Sequence, residues 1–371
     1  MLTYKYKLEP NKKQKQLLLQ QLDLCRGLYN MLLEQKQYQR IGQFEQMRQL
    51  TELKAAFPEY KNCHAHMLQN VVKRLDKAFQ GFFRRIKAGV KAGYPRFKSK
   101  DRFNSLNFSD GCKLNGKQLS VSKVGNIKVR LSRKLPVDAV VKTCSIKRAV
   151  NGWFATLTFE SMPLPLPKST KKIGVDVGIT QFAALSNGKF ISNPRFYQNT
   201  QAELRRAQRK VARRTNTKSN RRRKAVVLLR KVHARIANRR MDFLHKESTK
   251  LVRKYGTVVV EALNVAGMSR GRLAKQILDC SWSEFFRMLS YKAENAGRIK
   301  PEEPPQYTSQ KCAECTFIHR DNRKSQAEFE CLSCGHKDNA DTNGARNILA
   351  NYLARTEPSG VNASEVMLCV A

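Results

Sequence analysis

The chain has 371 residues, and its 71 Lys and Arg against 29 Asp and Glu give a net charge of +42. That length allows two or three domains with a substantial core. Self-repulsion on this scale favours a polyanionic partner, nucleic acid first, and no stretch reaches the roughly 20 apolar residues of a membrane span. The start, MLTYKYKLEPNKK, lacks the apolar segment of a secretory signal, so we expect a cytosolic protein with reduced thiols.

The first part of the chain predicts a strand followed by a helical unit. Residues 1–9 alternate as a strand does, and Asn11 with Gln14 predicts a helix cap. A first helix follows, and a second is predicted over about 66–88. Their apolar positions are Leu18, Leu22, Cys25, Tyr29 and Leu32 in the first helix, and Leu68, Val72, Leu75, Phe79, Phe82 and Phe83 in the second.

Strand signals replace the helical pattern after GYPRFKSK. Asn115-Gly116 and Asn151-Gly152 each lie between alternating runs, which is the strongest short-range signal for a hairpin. We therefore expect a small β-barrel interrupted by the helical insertion. Three prolines in SMPLPLPKSTKK (161–172) indicate a linker.

The second part of the chain mixes strands and helices. The strand GVDVGI is followed by a hairpin at Asn187-Gly188, then by two basic helices that break near TNTKSN. A buried strand ends at Glu261, and a helix is expected near 279–296 before the cysteine-containing segment.

Four cysteines have the spacing of a zinc ribbon: Cys312 and Cys315, then Cys331 and Cys334 after fifteen residues. Each Cys-x-x-Cys turn places two sulfurs on one ion, and a closed four-thiolate site is structural rather than catalytic. A redox pair or a coincidence of unrelated thiols is the alternative.

Three acids stand out in a chain that has few. Asp176 lies in the apolar strand IGVDVGI, Glu261 ends TVVVEAL, and Asp341 opens a helix. A lone acid at such a place is commonly a cap or turn former. Three carboxylates together would instead repel one another unless cations lay between them, and oxygen ligands suit Mg²⁺ or Mn²⁺. This order of strand Asp, strand Glu and helix Asp is that of ribonuclease-H-type nucleases, which cut phosphodiesters with two metal ions.

Residues 201–240 carry 16 Lys and Arg and one acid, Glu203, which favours contact with a nucleic-acid backbone over a merely solvated helix surface. The candidate contacts are Arg205, Arg206, Arg209, Arg213, Arg221, Arg222 and Arg223. The stretch from Tyr94 to Phe103, with Arg96 and Lys98, has two equally good interpretations: it contacts phosphates and bases, or it is the edge of a core.

At these residues the sequence closely resembles the TnpB (OrfB) family of transposon-encoded RNA-guided nucleases, which are relatives of the type V CRISPR effectors. The matching segments, in chain order, are YKYKLEPNKKQKQLL, CRGLYN, RLDKAFQGFFRRIKAG, GYPRFKSK, GVDVGI, VVVEALNV and DNRKSQAEFECLSCGHKDNADTNGARNI. Two positions depart from the family without removing a ligand. Thr316 stands where a glycine is common, and Ala262 stands where a polar residue is common.

The resemblance implies an α+β multidomain fold. Its parts would be a wedge-type β-barrel (1–11 and 91–165), an inserted helical recognition domain (12–90), a RuvC-like α/β nuclease domain (168–303 and 339–355), a zinc-ribbon element binding target nucleic acid (304–338) and a disordered tail (356–371). It also implies an RNA-guided DNA endonuclease with structural Zn²⁺ at the four cysteines, and with catalytic Mg²⁺ or Mn²⁺ at Asp176, Glu261 and Asp341.

The implied partners are a guide RNA encoded near the transposon end and a double-stranded target DNA, with no membrane partner. Base pairing would read the sequence, while the protein reads a short adjacent motif. Gln69, Lys73 and Lys77 are candidates for contacting that motif.

Two other functions stay open on sequence alone. The chain could be a nucleic-acid-binding regulator or transposition accessory protein that does not cut, although the three retained acids argue against that. It could also be a transposase that joins strands itself. The resemblance argues against this second alternative, because the tyrosine-bearing transposase of such elements is a separate small protein.

Overall fold

A computed structural model describes residues 1–133, 135, 140–160 and 165–356. The chain divides into two compact units, Met1–Met162 and Pro163–Ala371, and the boundary falls inside the predicted linker. Most of the predicted C-terminal tail, residues 357–371, lies outside the described residues.

The first unit is built on a seven-stranded antiparallel sheet. Its strands are β1 (Leu2–Glu9), β2 (Ser105–Phe108), β3 (Cys112–Asn115), β4 (Gln118–Val121), β5 (Gly125–Arg130), β6 (Val140–Ala149) and β7 (Gly152–Glu160), in the spatial order β2-β6-β7-β1-β5-β4-β3. Both predicted hairpins are confirmed, and Gly116 and Gly152 take the positive φ that these turns require. Closure of the sheet into a barrel stays a prediction, because the described pairings leave β2 and β3 at its two ends.

The helices of the first unit all lie between β1 and β2. They are α1 (Lys12–Tyr38), α2 (Gln43–Arg48), α3 (Leu50–Ala56), a short 3-10 helix (Pro58–Asn62) and α4 (Ala65–Lys87). Asn11 and Gln14 form the predicted capping box, and the apolar faces of α1 and α4 are buried in the core. Phe82 and Phe83, the last two apolar positions predicted for the second helix, lie outside that core: Phe82 is half-buried and Phe83 is 59% exposed.

The second unit contains a mixed five-stranded sheet. Its strands are β8 (Lys172–Val177), β9 (Gln181–Leu185), β10 (Phe190–Ser192), β11 (Thr257–Glu261) and β12 (Glu302–Glu303), in the order β10-β9-β8-β11-β12. The hairpin at Asn187-Gly188 is confirmed. β8, β11 and β12 run parallel to one another, so their carboxyl ends lie at one edge of the sheet.

Six α-helices, a short 3-10 helix (Arg320–Asn322) and a small two-stranded sheet complete the described part of the second unit. They are α5 (Phe196–Ala212), α6 (Asn220–Lys254), α7 (Val265–Met268), α8 (Ala274–Cys280), α9 (Trp282–Asn295), α10 (Ala340–Thr356), and the pair β13 (Glu328–Glu330) and β14 (Lys337–Asn339). The basic helices break where predicted. The helix expected near 279–296 is confirmed as α9, and Ser281, with a left-handed φ of +56°, separates it from α8.

Glycine allows α10 to cross β8 at very close range. A Cβ atom on Gly174 would lie 2.1 Å from the carbonyl oxygen of Ala345 and 3.0 Å from the Cβ of Leu349. A Cβ on Gly344 would lie 2.9 Å from Oδ2 of Asp176. No larger residue fits at Gly174 without moving the helix away from the sheet.

The fold as a whole is mixed α+β, as predicted. In the described part of the chain, no helix combines the length and the apolar character needed to cross a membrane. The predicted domain boundaries, and the wedge and recognition roles attached to them, stay predictions.

Replacing Gly174 by Ala should destabilise the second unit. The new methyl group clashes with backbone, so we expect a loss of about 1–3 kcal/mol and a fall of about 3–12 °C in the unfolding midpoint, measured by calorimetry. Gly271→Ala is the matched control, because its Cβ would meet only the Met268 oxygen at an ordinary 3.7 Å. Equal shifts in the two variants would contradict the close packing described here.

Candidate active site and metal centre

The three acids singled out in the sequence lie around one edge of the second sheet. Asp176 and Glu261 sit near the ends of β8 and β11, and the residues before them, Val175 and Val260, are register partners. Asp341 is in the first turn of α10, which packs on β8. The crossing described above therefore brings the third acid towards the other two.

Burial raises the pKa values of these carboxyl groups, and repulsion adds to the effect at Asp176. The pKa of Asp176 is raised to about 8, first by burial and then by the charges of Glu261 and Asp341, with Arg323 opposing. Burial also raises the pKa of Glu261 and that of Asp341. In the absence of a bound cation, Asp176 is therefore largely protonated at neutral pH.

Arg323 is a cation beside these acids. Its Nη2 lies 3.2 Å from Oδ1 of Asp341, and its guanidinium also donates to the carbonyls of Ser325 and Gln326. Gln326 in turn donates to the hydroxyl of Thr180, just after β8. The segment between the two cysteine pairs thus contacts the site from two sides.

The start of α10 is fixed by a side-chain cap. Oδ1 of Asn339 accepts hydrogen bonds from the backbone N–H groups of Asp341 (3.0 Å) and Thr342 (3.2 Å). This is an N-cap interaction, and it fixes the direction in which the Asp341 side chain projects from the helix.

The four cysteines form a compact sulfur cluster that could hold a metal ion. All four Sγ atoms lie within 4.8 Å of one another, with 3.8 Å between Cys312 and Cys334 and 3.5 Å between Cys315 and Cys331. A tetrahedral zinc site with Zn–S bonds of about 2.3 Å requires sulfur separations of about 3.8 Å, so the donor set fits zinc. Among the described residues the three acids do not meet the same 4.8 Å limit.

The first cysteine turn contains an unusual residue. Thr316 has φ +63°, the left-handed region, while Gly335 has φ +71° at the corresponding place after the second pair. A β-branched residue is strained there, so the departure from the family's common glycine has a conformational cost.

Hydrogen bonds join the cysteine element to α10. The Asn343 side chain accepts from the N–H of Ala313 at 2.9 Å and donates to the carbonyl of Lys311 at 2.8 Å. Asn347 donates to the carbonyls of Lys311 and Thr308, at 2.6 and 2.9 Å. Both asparagines are fully buried, so these bonds are structural links rather than surface contacts.

The same set of contacts reaches Glu261. The buried hydroxyl of Thr308 donates to Oε1 of Glu261 at 2.6 Å, and this bond lowers the pKa of the glutamate against the effect of burial. One chain of contacts therefore joins the first cysteine turn, the helix that carries Asp341, and Glu261.

The basic helices expose most of the predicted nucleic-acid contacts. Six of the seven arginines are exposed, namely Arg205, Arg206, Arg209, Arg213, Arg221 and Arg223. Arg222 is half-buried and donates to the carbonyls of Val211 and Arg214, so it holds the turn between α5 and α6. Glu203, the one acid of residues 201–240, pairs with Arg235.

The candidate nucleic-acid contacts in the first unit also include both exposed and half-buried residues. On α4, Lys73 and Lys77 are exposed and Gln69 is half-buried. Arg96 is exposed, whereas Lys98 is half-buried with its Nζ 5.6 Å from the ring centre of Tyr29. Phe103 is a core residue, 3% exposed, so at that position the core-edge interpretation was right.

The sequence did not point to Thr308, Arg323, Asn339, Asn343 or Asn347. Each acts through a contact that the fold creates, and only Asn339 carried a local signal, as an Asn immediately before a helix.

Comparison with known proteins places the chain in a family. The family description "Probable transposase" (OrfB_IS605) matches residues 155–272, "Cas12f1-like, TNB domain" matches residues 282–348, and the OrfB_IS605 "Helix-turn-helix domain" matches residues 1–43. These matches cover both units.

Three relatives show the extent of the similarity. "Putative RNA-guided DNA endonuclease" of Streptomyces pristinaespiralis is 34% identical over 95% of this chain and 89% of its own length. "Putative RNA-guided DNA endonuclease InsQ" of Escherichia coli (strain K12) is 33% identical over 78% and 75%. "CRISPR-associated endodeoxyribonuclease Cas12f1" of Sulfoacidibacillus thermotolerans is 28% identical over 53% and 50%.

The likeness to solved structures is weaker. "CasPhi-2 (Cas12j) bound to crRNA" covers 95% of this chain and 98% of its own at a TM-score of 0.45 and 10% identity, and we base no conclusion on it. Identity of about a third over nearly the full length of the Streptomyces relative, together with the OrfB_IS605 matches, establishes that the chain belongs to the TnpB (OrfB) family.

Proposed function

We propose that this protein is an RNA-guided DNA endonuclease of transposon origin. Asp176, Glu261 and Asp341 would be the residues with which it cuts phosphodiester bonds. The observation that carries the proposal is that these three half-buried acids lie at one sheet edge, where each has a raised pKa. Nothing in a purely structural role requires such repulsion. The names of the full-length relatives support RNA as the guide and DNA as the substrate.

Divalent cations fit the three acids. The donor set is oxygen only, which suits Mg²⁺ or Mn²⁺, and Arg323 alone cannot neutralise three carboxylates. Three carboxylates provide enough oxygen atoms for a pair of ions about 3.5–4 Å apart. Bound Mg²⁺ would supply an activated water and stabilise charge on the leaving oxygen. The protein's own part is to hold the three carboxyl groups close together and oriented, and to place Arg323 beside Asp341.

Zn²⁺ is the ion we propose for the four cysteines. Its role would be to fix the first cysteine turn, against which Asn343 and Asn347 position α10 and Thr308 positions Glu261. Residues that orient metal ligands typically change metal affinity about 10–100-fold when they are removed. The cysteine element and the acids would then act as one assembly.

The exposed arginines of α5 and α6 would contact the phosphates of the guide RNA or the target. Their charges are almost uncompensated within residues 201–240, which favours release of counterions from a nucleic acid. Arg222 is the exception, since its guanidinium already serves the turn between the helices.

Asp176→Asn should abolish cleavage while leaving RNA binding intact. The change removes a charge needed to hold the cations, so the cutting rate should fall on the order of 1000-fold or more. The measurement is Mg²⁺-dependent cutting of a DNA that matches the RNA co-purified with the protein. Undiminished cutting by the variant would reject the assignment. A wild-type protein that binds RNA and matched DNA but never cuts would instead support a regulator.

The pH dependence of folding provides the control for this variant. In Mg²⁺-free wild-type protein the folded-state pKa of Asp176, about 8, is above its unfolded value, so the folded state binds more protons. The contribution of this carboxyl group to the free energy of unfolding is complete below about pH 4, and it is lost as the pH rises through about 8. Asp176→Asn should flatten that loss and leave the variant more stable than wild type at pH 8. A variant that is less stable at pH 8 would mean that misfolding, not lost chemistry, stops cutting.

Thr308→Val should raise the Mg²⁺ concentration needed for cutting. The substitution keeps the side-chain shape but removes the hydroxyl that donates to Glu261. We therefore expect Mg²⁺ to bind about 10–100-fold more weakly, with an unchanged fold by circular dichroism. Thr308→Ser, which retains the hydroxyl, is the matched control and should restore most of the affinity. If both variants weaken Mg²⁺ binding equally, the hydrogen bond from residue 308 does not determine the affinity for Mg²⁺.

A further inference from the structure

Aromatic rings gather at the C-terminal end of α4 in the first unit. We call Phe79, Phe82, Phe83 and Tyr94 the aromatic cluster. The ring centre of Tyr94 lies 5.3 Å from that of Phe79 and 5.5 Å from that of Phe82, and Phe82 lies 5.3 Å from Phe83. The segment after α4 therefore folds back so that its tyrosine joins the rings of the helix.

The aromatic cluster is anchored on one side and open on the other. Phe79 is 8% exposed and belongs to the core of the unit, with the Nζ of Lys36 5.2 Å from its ring centre. Phe83 is 59% exposed and Tyr94 is 41% exposed. The Tyr94 ring packs edge-on against the buried Phe79 ring, and the Phe83 ring is tilted by 32° to it, so both exposed rings rest on an anchored neighbour.

The surroundings of the aromatic cluster are strongly positive. Residues 77–100 contain eight Lys and Arg and no Asp or Glu. Arg84, Arg85 and Lys87 are exposed in the last turns of α4, directly after Phe83. The acid that comes before, Asp76, accepts a hydrogen bond from Gln80 at 2.5 Å.

We propose that the aromatic cluster stacks unpaired bases of single-stranded RNA while the neighbouring cations hold its phosphates. Exposed rings beside cations are the two elements from which single-strand sites are built. A second copy of this chain is disfavoured as the occupant because each copy carries a net charge of +42. Duplex nucleic acid is disfavoured because its base faces are already stacked. The choice of RNA over DNA rests on the proposed function, in which RNA stays bound throughout the cycle.

Phe83→Leu tests the stacking directly. Leucine keeps an apolar side chain but has no ring, so a short labelled oligoadenylate should bind the full-length protein about five- to 100-fold more weakly. An RNA duplex of equal length should bind as it does to wild type. Fluorescence anisotropy at one fixed salt concentration measures both affinities. Cutting is not measured, so the result is independent of the catalytic acids.

Phe44→Leu is the matched control, because Phe44 is 78% exposed on α2 and outside the aromatic cluster. It should leave both affinities unchanged, and ultraviolet cross-linking of oligoadenylate to wild type should map to Phe83 or Tyr94. Unchanged single-strand affinity in Phe83→Leu would overturn the proposal. So would an equal loss for the duplex, or a greater loss for single-stranded DNA than for RNA. A wild-type dimer in light scattering that Phe83→Ala dissolves would show that a second copy covers the rings.

Discussion

The crossing of α10 over β8 is the constraint on which the candidate active site depends. A glycine at 174 lets the helix backbone approach within a distance that any side chain would block, and a glycine at 344 leaves room for the Asp176 carboxylate. Two residues without side chains thus determine where a third residue, Asp341, can place its charge. The three acids lie near one another because the two glycines allow the backbones of α10 and β8 to approach closely.

That closeness has an energetic cost which the surrounding contacts offset. Burial raises the pKa of all three acids, and the charges of Glu261 and Asp341 raise that of Asp176 further, so this arrangement is unfavourable in the ion-free protein. Arg323 provides a charge beside Asp341, Oδ1 of Asn339 accepts a hydrogen bond from the Asp341 backbone, and the Thr308 hydroxyl donates one to Glu261. Thr308 and Arg323 lie in the segment 304–338, which contains the four cysteines. The metal-binding element is therefore connected to the acids through hydrogen bonds as well as through the chain.

Local patterns predicted a large part of this organisation. The alternation around Asn115 and Asn151 gave the hairpins, and the spacing of the cysteines gave the sulfur cluster, because both depend on neighbours in sequence. The contacts of Thr308 and Arg323 span 47 and 18 residues, so no local pattern reveals them. Helical periodicity placed Phe83 with the apolar positions of α4, but it does not show where the core ends, and Phe83 is 59% exposed.

Locating Mn²⁺ by anomalous diffraction would test the account of the active site most directly. Crystals of the zinc-loaded protein would be soaked in Mn²⁺, and data collected at the manganese absorption edge. The account predicts anomalous density bounded by Asp176, Glu261 and Asp341, and its loss in crystals of Asp176→Asn. Mn²⁺ that binds elsewhere, with the three acids still protonated and Asp341 still paired with Arg323, would contradict it.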